Sequence, residues 1–247
     1  MNTIEVLLDS IQTDAPVIQV SVGAFWTAVV IGTDPPRCGL ASTPRPTNHP
    51  GGPPVSHAGQ LLEHTGRELA GWLRTSSTLE ASVGMAAFNA LLEVDEGAGA
   101  EVNAEQMILA RGSGRRVAIV GHFPFVEPVR RPAAECCAVE LHPRPGDLSA
   151  EQAADVLPRA DVVALTGTSL INHTFDELTK LCRADAFVIL LGGSAPLSPV
   201  LLDCGVNAVA GTRVVEVSAA LRTVSQGATF PQIGGKQLLT IMREAWQ

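Results

Sequence analysis

Hydrophobic positions change their period near the middle of the chain. In the first part, Ile4, Leu7, Leu8 and Ile11 fall at helical spacing and predict an amphipathic opening helix. Ile18, Val20 and Val22 then alternate with Gln19 and Ser21, the pattern of a half-buried strand. Phe25 to Ile31 is β-branched and aromatic, and Gly23-Ala24 between the two runs predicts a hairpin, with a third short strand at Cys38 to Ser42. Two helices should follow. Leu62, Thr65, Leu69, Trp72 and Leu73 mark the face of one; Leu79, Val83, Ala86, Ala87, Ala90 and Leu91 mark the other. Ser77 with Glu80 three residues on is a capping-box signature for the second.

From Val117 the pattern becomes strands alternating with helices. Val117 to Val120 is a short continuous apolar run, as in a strand buried on both faces, and Cys136 to Leu141 is the next. A helix is expected over Ser149 to Leu157, capped by Ser149 with Gln152 and stopped by Pro158. Asp161 to Leu165 reads as a strand, and Thr174 with Glu177 as the capping box of a helix to Cys182. Ala186 to Leu191 and Val206 to Ala210 are further strands, and Leu238, Ile241, Met242 and Ala245 predict a terminal helix. Alternation of this kind implies a parallel sheet with right-handed crossovers. The expected fold is therefore α/β: a small N-terminal α+β domain over 1–98, then a Rossmann-like parallel-sheet domain over 99–247. Val94 to Gly99 marks the boundary, and a short helix around Ala104, Met107 and Ile108 leads into the second domain. Thr43 to His57, rich in Pro and Gly, cannot pair as a central strand and is expected to be an irregular loop, either a lid or a surface excursion.

Composition narrows the function classes. No stretch reaches the ~18 uninterrupted apolar residues of a membrane helix, and the first residues lack the basic and apolar regions of a signal peptide. A cytoplasmic location is expected. The net charge of -8 disfavours nucleic acid, since the dense basic spots are only Arg115-Arg116 and Arg130-Arg131. The five cysteines have no Cys-x-x-Cys spacing, which argues against a zinc ribbon or a disulfide framework. His49, His57 and His64 lack the spacing of a metal cage, so no metal is expected.

In an open parallel sheet, ligands bind beyond the carboxyl ends of the strands, at a topological switch point. The candidate ligand-binding residues therefore follow the predicted strands. They are Gly121, His122 and Phe123; Glu140; Thr166, Gly167, Thr168, Ser169 and Asn172; and Gly192, Gly193 and Ser194. Gly211-Thr212-Arg213 follows the last of them. Glu140 lies about twenty residues after Gly121, the offset at which a Rossmann acid accepts hydrogen bonds from ribose. The turn at Gly121 has one glycine followed by Pro124, which disfavours a pyrophosphate and suits a phosphate-free adenosyl ligand such as S-adenosylmethionine. His122 and Asn172 are the catalytic candidates: His122 as acid or base or as a packed loop histidine, Asn172 as a ligand-orienting group or a helix cap. Phe123, Phe125, Trp26 and Trp72 could offer a ring face to a sulfonium, or serve only as core. Ser169 and Ser194 lack a nucleophile elbow, so a serine hydrolase is rejected.

Five segments occur in the order of a known family: Gly121-His122-Phe123-Pro124, Glu140, Leu165 to Thr174, Gly192 to Leu197, and Asp203 through Gly211. With Gly39-Leu40-Ala41 and Ala87 to Leu91 in the first half, the chain resembles the family named "putative heavy-metal chelation", a domain of unknown function. The resemblance implies an enolase-N-terminal-like domain joined to a Rossmann-like one, with an active site at their junction. It also implies that Asn89 and residues after Gly39 reach that site, and that Gly193 stands where the family would carry proline. Three functions stay open. The leading one is an enzyme binding S-adenosylmethionine between the domains and catalysing alkyl transfer or intramolecular cyclisation. The others are a condensing or hydrolytic enzyme of metal-chelator, pterin- or flavin-like synthesis, and a non-catalytic metal or chelate carrier. The expected partner is a small metabolite, with a homodimer left open and neither nucleic acid nor membrane involved.

Overall fold

A computed structural model describes residues 2–44, 54–94 and 103–243. The opening helix α1 (Thr3–Asp9) starts where the Asn2 side chain accepts the Ile4 amide, and it buries Ile4, Leu7 and Leu8. Strands β1 (Val17–Val22), β2 (Trp26–Ile31) and β3 (Arg37–Ser42) form an antiparallel sheet in that order. The Gly23 amide closes the expected hairpin on the Trp26 carbonyl at 2.9 Å.

The first expected helix is broken into 3-10 turns at 61–63 and 71–74 around a short α2 (Gly66–Ala70), whose start is a capping box of Thr65 and Glu68. Leu69 and Leu73 are buried as expected, but Leu62 is exposed. The next helix, α3 (Thr78–Leu91), crosses the sheet and is buried along nearly its whole length. Only half of its expected box forms. Ser77 accepts the Glu80 amide, while the Glu80 carboxylate takes the Ser56 amide at 2.8 Å. Two glycines permit the close packing of α3. A Cβ on Gly39 would strike the Ala86 carbonyl and the Ala90 nitrogen, and one on Gly84 would lie 2.6 Å from the Leu73 nitrogen.

The second half runs α4 (Ala104–Gly112), β4 (Arg116–Val120), α5 (Val126–Arg130), β5 (Glu135–Glu140), β6 (Leu148–Ser149), α6 (Ala153–Val156), β7 (Val162–Thr166), α7 (Thr168–Ile171), α8 (Phe175–Leu181), β8 (Phe187–Leu191), β9 (Ala208–Val214), α9 (Val217–Ser225) and β10 (Lys236–Met242). Its sheet has the order β10-β9-β8-β7-β4-β5-β6, parallel throughout except for β10. The mixed α/β class is as expected, with one small antiparallel sheet and one larger, mostly parallel sheet.

Several local expectations are corrected. The terminal helix is instead strand β10, paired with β9 from Lys236↔Val214 to Met242↔Ala208. Leu238, Ile241 and Met242 suit a helix stripe, but Leu239, Thr240 and Ile241 are buried in succession while Leu238 is exposed, as in a strand covered on both faces. Gly211-Thr212-Arg213 lies within β9 and does not follow it. The helix expected over Ser149 to Leu157 is a 3-10 turn with the Ser149–Gln152 box, then α6, and Pro158 opens a further turn. Thr174 does not cap α8 with its side chain; its hydroxyl and amide both donate to the Asn172 Oδ1.

The two halves share one apolar core, which runs from Leu7, Leu73 and Phe88 into Leu165, Leu170 and Phe175. Polar contacts pin the seam. The Ser42 amide donates to the Ser194 Oγ at 2.8 Å, and the Thr3 amide to Asp176 at 3.2 Å. Beside them Trp26 packs on Phe230, ring centroids 5.0 Å apart, and a Cβ on Gly193 would lie 2.6 Å from both rings. Among the described residues no helix is long and apolar enough to cross a membrane.

Because backbone atoms block the Gly39 position, Gly39→Ala should destabilise by about 2 kcal/mol or more and lower Tm by about 4–8 °C. Gly71→Ala is the control. A Cβ there meets nothing nearer than the Arg74 Nη1 at 3.6 Å, so the helical preference of alanine should leave Tm unchanged or slightly raised. Thermal melts of the two variants check this.

Candidate functional site

The strand order reverses between β4 and β7. The chain leaves β4 toward β5 and β6 on one side, and leaves β7 toward β8 and β9 on the other. Beyond the carboxyl ends of this pair lies a cleft of about 370 Å³. Gly121, His122, Phe123, Glu140, Thr166, Thr168, Ser169 and Asn172 all line it, so eight of the residues read from the sequence meet in one place. Val139, Ala153, Leu178 and Leu181 supply apolar wall, and Glu151 and Glu177 bring two further carboxylates.

Gly121 makes the turn possible. Its φ of +111° is a conformation that L side chains rarely adopt, and a Cβ would lie 3.0 Å from both Phe123 and Thr166. Phe123 stacks on Phe125 at 5.0 Å with the rings 11° from parallel. Glu140 closes β5 and is half-buried, with the Leu141 amide donating to its Oε2 at 3.2 Å. The Thr166 and Thr168 hydroxyls bond each other at 2.9 Å, and Ser169 donates to the Thr166 carbonyl at 2.7 Å. Asn172 both caps, through Thr174, and lines the cleft.

A residue not singled out from the sequence stands behind His122. Asp147 Oδ2 is 3.1 Å from His122 Nδ1, and its side chain is only 3% exposed against 29% for His122. Burial pushes the Asp147 carboxyl up. The Arg144 amide, the His122 ring and the Arg144 charge together outweigh that and hold it below the usual carboxylate range.

Other candidates lie elsewhere. Gly167 is covered by Ala195, Gly193 and Ser194 are in the domain seam, and Gly192, with φ +115°, stands behind Phe123. The Asn89 Nδ2 donates to the Leu40 carbonyl at 2.8 Å, tying α3 to β3, and its buried Oδ1 has no partner among the described residues. Trp26 belongs to the seam and Trp72 packs on His64, so neither ring lines the cleft. A separate cavity of about 610 Å³ does occupy the junction of the halves, between Asn2–Glu5, Leu73–Arg74 and His173–Asp176. Ser169 is common to the two cavities, but the switch-point cleft is lined by residues of the second half alone, so the space where the candidates gather is not the one between the domains. His49 and most of the Pro-rich segment and domain boundary fall outside the described residues.

The arrangement defines a two-domain α/β protein with a cleft at the switch point of a Rossmann-like sheet. The chain belongs to the family described as "Putative heavy-metal chelation", whose two models match residues 4–92 and 103–243. It is similar to a crystal structure of a protein of unknown function from the DUF364 family of Desulfitobacterium hafniense, with 26% identity, TM-score 0.83, and 98% and 97% of the two chains covered. A DUF364 family protein of unknown function from Pyrococcus horikoshii shares the fold, with 20% identity, TM-score 0.77 and 98% of each chain covered. An uncharacterized protein of Methanocaldococcus jannaschii is 28% identical over 150 residues, 58% of this chain, and the chain spans 58% of that relative's length.

The family description invites a metal, and the described residues do not fit one. Among them no three His, Cys, Asp or Glu side chains converge as a ligand set. Burial pushes the Cys38 thiol up to about 12 and those of Cys136 and Cys182 to about 11, which keeps them protonated rather than as metal-binding thiolates.

The lowered Asp147 carboxyl carries a prediction. A depressed carboxyl contributes stability above its unfolded value of about 4 and loses it as pH falls through the folded value. Asp147→Asn should therefore melt below the native protein near neutral pH, with the gap closing on acidification below about pH 4. Melting curves from pH 7 downward measure the gap.

Proposed function

We propose that the switch-point cleft binds S-adenosylmethionine or a closely related adenosyl metabolite, and that the protein is an enzyme transferring an alkyl group from it or cyclising it. One observation carries this reading. The acidic side chains lining the cleft are Glu140, Glu151 and Glu177, and no Lys or Arg is among the described lining residues. Such a lining repels the phosphates of a dinucleotide and favours a ligand bearing a sulfonium and an amine. Glu140 ends its strand and lines the cleft, and in this reading it accepts hydrogen bonds from ribose hydroxyls, as the acid at the end of the second strand does in dinucleotide folds. Thr168, Ser169 and Asn172 also line the cleft and in this reading orient the polar tail, with Phe123 offering an aromatic face. A sulfonium is already a strong electrophile, so the protein's task is mainly to hold a nucleophile in line with the bond to be broken.

Calorimetric titration tests the reading. S-adenosylmethionine should bind, S-adenosylhomocysteine, which lacks the sulfonium charge, should bind more weakly, and NAD should give no heat. Glu140→Ala removes a charged acceptor and should weaken S-adenosylmethionine binding by about 10- to 100-fold. Heat with NAD and none with millimolar S-adenosylmethionine would overturn the assignment.

A further inference from the structure

The His122–Asp147 pair is more completely built than a loop contact requires. Residues Arg144-Pro145-Gly146-Asp147 form a tight turn, closed by the Asp147 amide on the Arg144 carbonyl at 2.9 Å, with Gly146 at φ +95°. Proline second and a positive-φ glycine third are the residues a type II turn demands. The turn folds the Asp147 carboxylate back so that Oδ2 accepts the Arg144 amide at 3.1 Å and faces His122 Nδ1 at the same distance. The carboxylate is thereby removed from water while still ionised, and an ionised carboxylate can only accept. It therefore selects the imidazole tautomer with the proton on Nδ1. Nε2 is then the ring nitrogen with a free lone pair, it has no protein partner among the described residues, and His122 lines the cleft.

We propose that His122 is the proton acceptor of the cleft, and that Asp147 is a positioning residue that holds it with Nε2 basic. The pair is assigned from the protein's own geometry; only the identity of the proton donor rests on the adenosyl reading above. In that reaction the nucleophile gives its proton to Nε2 as it forms a bond to the carbon next to sulfur. The carbon–sulfur bond breaks, its electron pair passes to sulfur, and a neutral thioether leaves. The imidazolium keeps its Nδ1–H on Asp147, which balances the new charge, and later releases the Nε2 proton to water. If the pair merely fastened the 141–149 loop to the end of β4, Asp147 would affect stability and leave the reactivity of His122 unchanged.

Diethyl pyrocarbonate, which acylates neutral imidazole nitrogen, separates these roles when each histidine is followed by peptide mass spectrometry. In the native protein His122 should react about ten times faster than exposed His142, and Asp147→Ala and Asp147→Asn should bring it down to the His142 rate. Nitrogen-15 spectra of the native imidazoles should show His122 as the Nδ1–H tautomer, a readout that stands even if both variants fail to fold. Equal His122 reactivity with and without Asp147, or an Nε2–H tautomer in the native protein, would overturn the assignment. Adding S-adenosylmethionine tests the ligand separately. Shielding of His122 supports both readings, whereas a reactive but unshielded His122 keeps the dyad and removes the ligand.

Discussion

Strands β4 and β7 pair in parallel, Val117 with Val162 through Val120 with Leu165, although they lie far apart in the chain. That pairing is the constraint on which the rest depends. It places two strands side by side whose following segments turn away in opposite directions, so their carboxyl ends cannot be covered by a single crossover. The space left is the cleft, and Gly121 and Thr166 border it because each comes directly after, or ends, one of the two strands. Both strands are apolar on both faces, with Ala118 and Val163 in one core and Ile119 and Ala164 in the other. The floor of the site is therefore as rigid as the interior of the protein.

Much of this was legible because strand ends are written in local sequence. Short β-branched runs bounded by glycine mark β4, β7 and β8, and the residues after β4, β5 and β7 do meet. Illegible features were those that local pattern leaves ambiguous. Leu238 to Met242 suits a helix stripe and a buried strand alike, and only the free edge of β9 decides for a strand. Gly192 to Ser194 follows a strand like the others, yet β8 lies beyond the reversal point and its turn meets the N-terminal sheet instead of the cleft. Asp147 carried a weak signal. Pro145-Gly146 marks a tight turn, but that this turn aims its carboxylate at His122 depends on tertiary placement. Glu151 and Glu177 read as ordinary first-turn acids and become informative only when seen to share a cavity.

The chemistry of the cleft is set by contrast in charge and hydration. Three carboxylates face the ligand space, while the aspartate behind His122 is withdrawn from water and committed to two donors. In the proposed reading the first group selects by charge, and the second fixes a proton. Carboxylic acids thus fill two different roles according to where the backbone places them. The family description emphasises metals, yet among the described residues no three His, Cys, Asp or Glu side chains converge as a ligand set, and the proposed reading assigns the acids of the cleft to an organic cation.

Gly193 offers a last consequence. The two halves meet where a side chain is missing, with the Trp26 indole of one half and the Phe230 ring of the other filling its place. A relative that carried proline there would need smaller residues at both ring positions, so the three sites should change together in evolution. Chimeras that join the N-terminal half of one family member to the C-terminal half of another should then assemble only when glycine and rings are inherited as a set.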